Sequence, residues 1–217
     1  MLFRSYLALA DRFVVTAESA SMLAEACSTG RPVAMFDLAG EPRERLALLR
    51  WKPAGGRYAL LTGDASSQTL ALRVEGVRDG LGAKWTEIPG SPVVTTGEAR
   101  EAAGLLDRIL LQNPDLDAVI SVGAWPFLAE EAWREIATRH RDRLERARTI
   151  LVVADALPPE RRLVADGLGH VLVGQRPADM GARVAEVLIA RANGRSVPEV
   201  VYTGFDVLTR RDLAPKR

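Results

Sequence analysis

Several residue types that commonly carry chemistry are scarce in this 217-residue chain. It has one cysteine, Cys27, so an intramolecular disulfide is impossible. Its two histidines, His140 in a charged stretch and His170 beside a glycine, lack the spacing of a metal-ligand pair. Charge of one sign is also lacking. Lys+Arg number 29 against Asp+Glu 28, and a net charge of +1 builds no field to draw nucleic acid or an anionic membrane. The basic residues Arg210, Arg211, Lys216 and Arg217 read as a solvated chain end. No apolar run reaches the length of a membrane span, and none before Asp11 and Arg12 is long enough for a secretory segment. The expectation is a cytoplasmic chain with no membrane insertion and no nucleic-acid partner. The G-x-S-x-G, Walker and G-x-G-x-x-G patterns are absent, and Thr62–Ser67 lacks the lysine and second glycine of a phosphate loop. No catalytic residue, metal or cofactor is expected.

What is present is an ordinary globular balance of 47% hydrophobic and 26% charged residues. Short apolar runs alternate with amphipathic stretches. Phe13–Thr16 and Val33–Phe36 read as strands, with a helix from Met22 between them and another from Pro42 to Arg50. Further strands are expected at Tyr58–Gly63, Trp85–Ile88, Ala118–Gly123, Thr149–Asp155 and from Val171. Helices fall at Ser67–Leu81, Ala99–Leu111, Phe127–Glu145, Pro158–Asp166 and from Pro177 to the Asn193-Gly194 stop. This alternation predicts an α/β fold, a doubly wound parallel sheet with helices on both faces. Lys52-Pro53-Ala54-Gly55-Gly56 is the clearest break, dividing residues 1–52 from 57–217. The shorter part buries too little surface to stand alone, so its strands are expected to extend one continuous sheet.

Open α/β sheets bind ligands outside the carboxyl ends of their strands. That rule nominates Thr62–Ser67, Gly123–Pro126, Asp155 and Gln175. Blander roles compete at each. Asp155 could cap the helix that starts at Pro158, and Gln175 could satisfy backbone groups at a sheet edge.

The last third, GQRPADMG followed by a helix, an N-G turn, VPEVVYTG and DVLT, resembles the C-terminal end of periplasmic sugar-binding proteins of the ribose-binding type. Their fold is shared with lac-repressor-type regulators. The resemblance covers about residues 57–217 and implies a non-enzymatic solute-binding protein of an ABC sugar importer. A sugar ligand, a transporter permease and a second lobe would be its partners. It adds Arg73, in the R-x-x-G of ALRVEG, to Asp155 and Gln175 as sugar contacts. Gly123-Ala124 stands where the ribose-type receptor has an Asn-Asp pair, and Trp125 follows as a ring able to stack on a sugar face. Gly97 stands where the family has an aromatic residue. The family is periplasmic, against the cytoplasmic expectation above.

The opening, LALADRFVVTAESASMLAEACSTGRPVAMFDL, resembles mitochondrial-fission ELM-like proteins, relatives of GT-B glycosyltransferases. That resemblance implies an anion or phosphate site at Ser19 and Ser21, on a helix N-terminus, with Glu25 as a ribose contact. Ser19 or Ser21 as a plain helix cap is the simpler reading. Taken together the chain reads as a chimera in which two βα units replace the receptor's own N-terminal lobe. A nucleotide-sugar-binding, glycosyltransferase-like protein and an α/β scaffold without a ligand are the alternatives to a sugar-binding module.

Overall fold

Strand β3 (Gly56–Thr62) is buried from Tyr58 onward, and its successive side chains enter different cores. A computed structural model describes residues 13–16, 33–36, 52, 54–64, 66–198, 201 and 203–213. In it β3 leads to helix α1 (Gln68–Leu81), a 3-10 turn (Gly82–Lys84), and the short strands β4 (Trp85–Glu87) and β5 (Val93–Val94). Helix α2 (Ala99–Gln112), strand β6 (Ala118–Ser121) and three successive helices, α3 (Trp125–Leu128), α4 (Glu130–Arg139) and α5 (Arg141–Glu145), come next. Strand β7 (Ile150–Asp155), helix α6 (Pro158–Ala165), strand β8 (Val171–Gln175), helix α7 (Pro177–Ala192), strand β9 (Phe205–Thr209) and the short α8 (Arg210–Leu213) complete the described order.

The sheet order is β4-β3-β6-β7-β8-β9, with β5 also paired to β3. Every ladder is parallel except β8–β9. Alternate residues of β3, β6 and β7 feed two cores. Ala59, Leu61, Val119, Leu151 and Val153 join Leu106, Leu110, Phe127, Trp133 and Leu163 from α2, α3, α4 and α6. Tyr58, Leu60, Ala118, Ile120, Ile150 and Val152 meet Val74, Val77 and Leu81 of α1 on the other face. Strands buried on both faces read as continuous apolar runs, which is why the sequence exposes them.

Caps fix the helix starts. Ser67 Oγ accepts from the Leu70 amide at α1, as the sequence predicts. Glu98, not singled out in the sequence, caps α2 by accepting from the amides of Arg100 and Glu101. The single helix expected over Phe127–Glu145 is three. Its apolar spacing runs on while the backbone leaves helical geometry at Ala129 and His140.

The domain division also differs from the sequence expectation. The chain forms two compact units, one of residues 1–40 with 176–204 and one of 41–175 with 205–217. The expected cut at 52–57 lies inside the second. Gly55 and Gly56 serve close approach there, not a linker. A Cβ on Gly55, at φ +91°, would lie 2.0 Å from the Lys84 carbonyl oxygen, and one on Gly56 would lie 2.4 Å from the Asp117 carboxylate. That carboxylate receives Lys52 Nζ at 3.0 Å and the Arg57 amide at 2.9 Å.

In the other unit, β1 (Phe13–Thr16) and β2 (Val33–Phe36) pair in parallel as a two-stranded sheet of their own. One continuous sheet was expected, and the described ladders form two. At one edge of the larger sheet β4 and β5 are three and two residues long, too short to template another strand. At the other, β9 already occupies β8. Helix α7 ends as the N-G signal requires, with Asn193 as cap and Gly194 at φ +72°.

In the unit of residues 41–175 with 205–217, the buried Trp133 stacks on Phe127 at 5.6 Å and donates its indole N–H to the Leu168 carbonyl at 2.8 Å. Trp133→Ala is expected to lower the unfolding free energy by about 3–5 kcal/mol, while Trp133→Phe keeps most of the packing. Urea denaturation followed by circular dichroism measures the difference.

Candidate functional site

The strand order reverses between β3 and β6, the kind of switch point at which open α/β sheets bind ligands outside the strands' carboxyl ends. Arg73 comes from the middle of α1, Trp125 from the start of α3, Asp155 from the end of β7 and Gln175 from the end of β8. All four belong to the second compact unit.

Three of them are joined directly. Arg73 Nη1 donates to the Val122 carbonyl at 2.7 Å and lies 3.6 Å from Asp155 Oδ1. Gln175 Nε2 donates to the same Asp155 oxygen at 3.0 Å. The Arg73 and Asp155 side chains are 22% and 27% exposed, so the pair is screened by the fold but not sealed from solvent. Arg73 is therefore not a solvated helix charge, and Asp155 does not cap α6. Trp125 covers the backbone next to Val122. A Cβ on Gly123 would fall 2.6 Å from its ring carbons, and one on Gly63 would fall 2.9 Å from them. Both glycines are needed because the indole lies on the chain at the ends of β3 and β6.

Asp155 sits on an unusual backbone. It and Ala156 have φ of 98° and 86°, each costing of order 1–3 kcal/mol for a residue with a Cβ. The surroundings hold this corner closed. Gly174 leaves room for it, since a Cβ there would lie 2.9 Å from both Ala156 Cβ and the Asp155 carbonyl. Arg161 Nε donates to the Ala156 carbonyl at 2.7 Å. Glu160 Oε2 accepts from the amides of Ala156 at 2.9 Å and Leu157 at 2.5 Å. The N-cap of α6 is Leu157, which has no side-chain acceptor, so Glu160 at the third helical position satisfies the amides that Asp155 was a candidate to cap.

Glu160 is fully buried, and its second oxygen has no hydrogen-bond partner. Burial pushes its carboxyl up to about 7. The Leu157 and Ala156 amides oppose that rise, and the Asp155 charge adds to it. The sequence reading missed Glu160. Its signal was there in Leu157-Pro158-Pro159-Glu160, the spacing from an N-cap to a third-position glutamate.

Ser19, Ser21 and Glu25 lie outside the described residues. Among the described residues no group of three or more His, Cys, Asp or Glu could hold a metal ion. No helix among them is long and apolar enough to cross a membrane.

Several solved structures with this fold are described as sugar- or solute-binding proteins. A glucose-galactose binding protein from Geobacillus stearothermophilus matches with a TM-score of 0.73 at 21% identity, over 98% of this chain and 81% of that one. A solute-binding protein from Agrobacterium vitis, bound to α-D-tagatopyranose, matches with a TM-score of 0.74 at 17% identity, over 98% and 80%. One from Burkholderia graminis in complex with D-arabinose matches with a TM-score of 0.73 at 17% identity, over 99% and 81%. At these identities the likeness establishes the mostly parallel α/β fold alone. The family follows from the sequence itself: residues 46–196 match the periplasmic binding protein domain, and the chain belongs to that family. Residues 3–51 are similar to a second family, mitochondrial fission ELM1. No curated protein matches the chain.

The raised Glu160 carboxyl sets a pH dependence. Its proton is held more tightly in the folded chain than in the unfolded one. The resulting stabilisation is complete below the ordinary carboxylate range and is lost as pH rises through about 7. Over that window the wild type is expected to lose up to about 3 kcal/mol, following 1.36 kcal/mol per pKa unit. Glu160→Gln removes this component, and urea midpoints of both proteins at pH 5 and pH 8 measure it.

Proposed function

We propose that this chain is a non-enzymatic binding module for a sugar or a similar small polar solute. The ligand sits at the carboxyl ends of β3, β6, β7 and β8. The observation that carries this reading is the Arg73–Asp155–Gln175 chain, in which one carboxylate oxygen is flanked by a guanidinium and an amide. A polyol presents adjacent hydroxyls that donate to a carboxylate and accept from an arginine fork, and such charge-assisted bonds are strong and directional. Trp125 supplies an apolar face at the same strand ends, suited to the C–H patch of a sugar ring. Strained backbone held in place at Asp155 supports the reading, because such strain clusters at ligand clamps.

The relatives support it by what they bind. The structures similar to this chain are described with D-arabinose, D-allose and α-D-tagatopyranose bound. Another is described as a complex of XylFII with LytSN, so a protein of this fold assembles with a second protein. For this chain a transporter permease is the corresponding partner.

Thermal-shift measurements with free pentoses and hexoses, run beside UDP- and GDP-sugars, test the proposal. A ligand that binds only the native state raises the melting temperature. At least one free sugar is expected to do so. Asp155→Ala should stay folded and weaken that sugar at least tenfold, the effect of losing a charge-assisted bond worth about 1.5–3 kcal/mol. A rise with nucleotide sugars alone would transfer the function to the glycosyltransferase-like reading.

A further inference from the structure

We propose that Glu160 is the positioning residue of this site. Through the amides of Ala156 and Leu157 it holds the corner that presents the Asp155 carboxylate to Arg73, Gln175 and the ligand. The inference rests on the sugar-site reading and adds to it a residue that does not touch the ligand.

The geometry carries it. Asp155 and Ala156 are consecutive residues with Cβ atoms in the left-handed half of backbone space, a conformation that needs external support. The support converges on one side chain, because both amides leaving the corner donate to the single oxygen Oε2 of Glu160. Arg161 and Gly174 restrain the same corner through the Ala156 carbonyl and by leaving space, but neither satisfies those amides. Without Glu160 one buried and one part-buried donor lose their acceptor, and the corner relaxes towards ordinary φ values, carrying the Asp155 side chain with it. Burying a carboxyl group with one oxygen unpartnered is costly, so a plain cap on α6 would be served better by an exposed serine or aspartate. The charged groups around Glu160 are Asp155 at the end of β7 and Arg161 on its own helix, with Arg73 of α1 beyond Asp155.

The test uses the full chain and three variants. Glu160→Ala removes both acceptor contacts, Glu160→Asp withdraws the carboxylate by one methylene, and Glu160→Gln keeps an oxygen in place. Two quantities are measured at a temperature where each variant is fully folded. The first is the affinity for D-arabinose, D-allose and D-galactose by calorimetry. The second is the NMR position of the Gln175 side-chain amide, which reports its bond to Asp155 and needs no ligand. Glu160→Ala and Glu160→Asp are expected to weaken the bound sugar at least tenfold and move the Gln175 signals towards those of a free amide. Glu160→Gln should stay within threefold of wild type and leave the signals unmoved. Unchanged affinity and unchanged Gln175 signals in a folded Glu160→Ala or Glu160→Asp protein would overturn the proposal. So would failure of both variants to fold while Glu160→Gln behaves as wild type, since Glu160 would then be only structural. If no sugar binds even wild type, the sugar-site reading fails, and the Gln175 signals still decide whether Glu160 positions Asp155.

Discussion

Burial of β3, β6 and β7 on both faces is the constraint on which the second unit depends. Odd and even residues of each strand enter different cores, so the strands have no wet face on which to carry polar chemistry. Polar groups are confined to the strand ends. At the carboxyl ends this confinement gathers the polar cluster: the Val122 carbonyl receives Arg73, and β7 and β8 end in Asp155 and Gln175. The same burial explains the glycines at positions 63 and 123, where an indole has to lie on the backbone that leaves the sheet.

The corner after β7 shows how local strain and global packing are reconciled. Two residues with Cβ atoms adopt positive φ, a glycine on the neighbouring strand makes room, and a buried glutamate takes up the freed amides. The Asp155 carboxylate is thereby released from capping duty. One helix start thus carries two acids with separate tasks, Glu160 turned inward to the backbone and Asp155 turned to Arg73 and Gln175.

Much of this was legible in the sequence. The buried strands stand out as apolar runs, and α1, α2, α6 and α7 follow from helical spacing with Ser67, Pro158, Pro177 and Asn193-Gly194 marking their ends. Asp155 and Gln175 were readable from their places at strand ends, Arg73 only from the family likeness, and the fold brings those three within contact. Other features left weak or misleading marks. Gly55-Gly56 has the composition of a linker, yet it is a tight entry into β3 forced by Lys84 and Asp117, partners far away in sequence. The breaks at Ala129 and His140 carry no glycine or proline. The antiparallel direction of β9 is set by its backbone ladder with β8, which no side-chain pattern announces. Glu160 was missed because its role is defined by the φ angles of Asp155 and Ala156, which single residues do not reveal.

The central claim is that a sugar binds beside Trp125, at the carboxyl ends of β3, β6, β7 and β8. Of the four tryptophans, Trp85 and Trp133 are buried in the two cores, whereas Trp125 is half-buried at the carboxyl end of the sheet. Indole N–H resonances assigned by substitution, followed by NMR while a free pentose or hexose is titrated to about 10 mM, a range that reaches even millimolar affinities, test it directly. The account predicts that the Trp125 resonance moves in a saturable way while those of Trp85 and Trp133 stay in place. A sugar that binds without moving Trp125, or no saturable shift with any sugar, would contradict it.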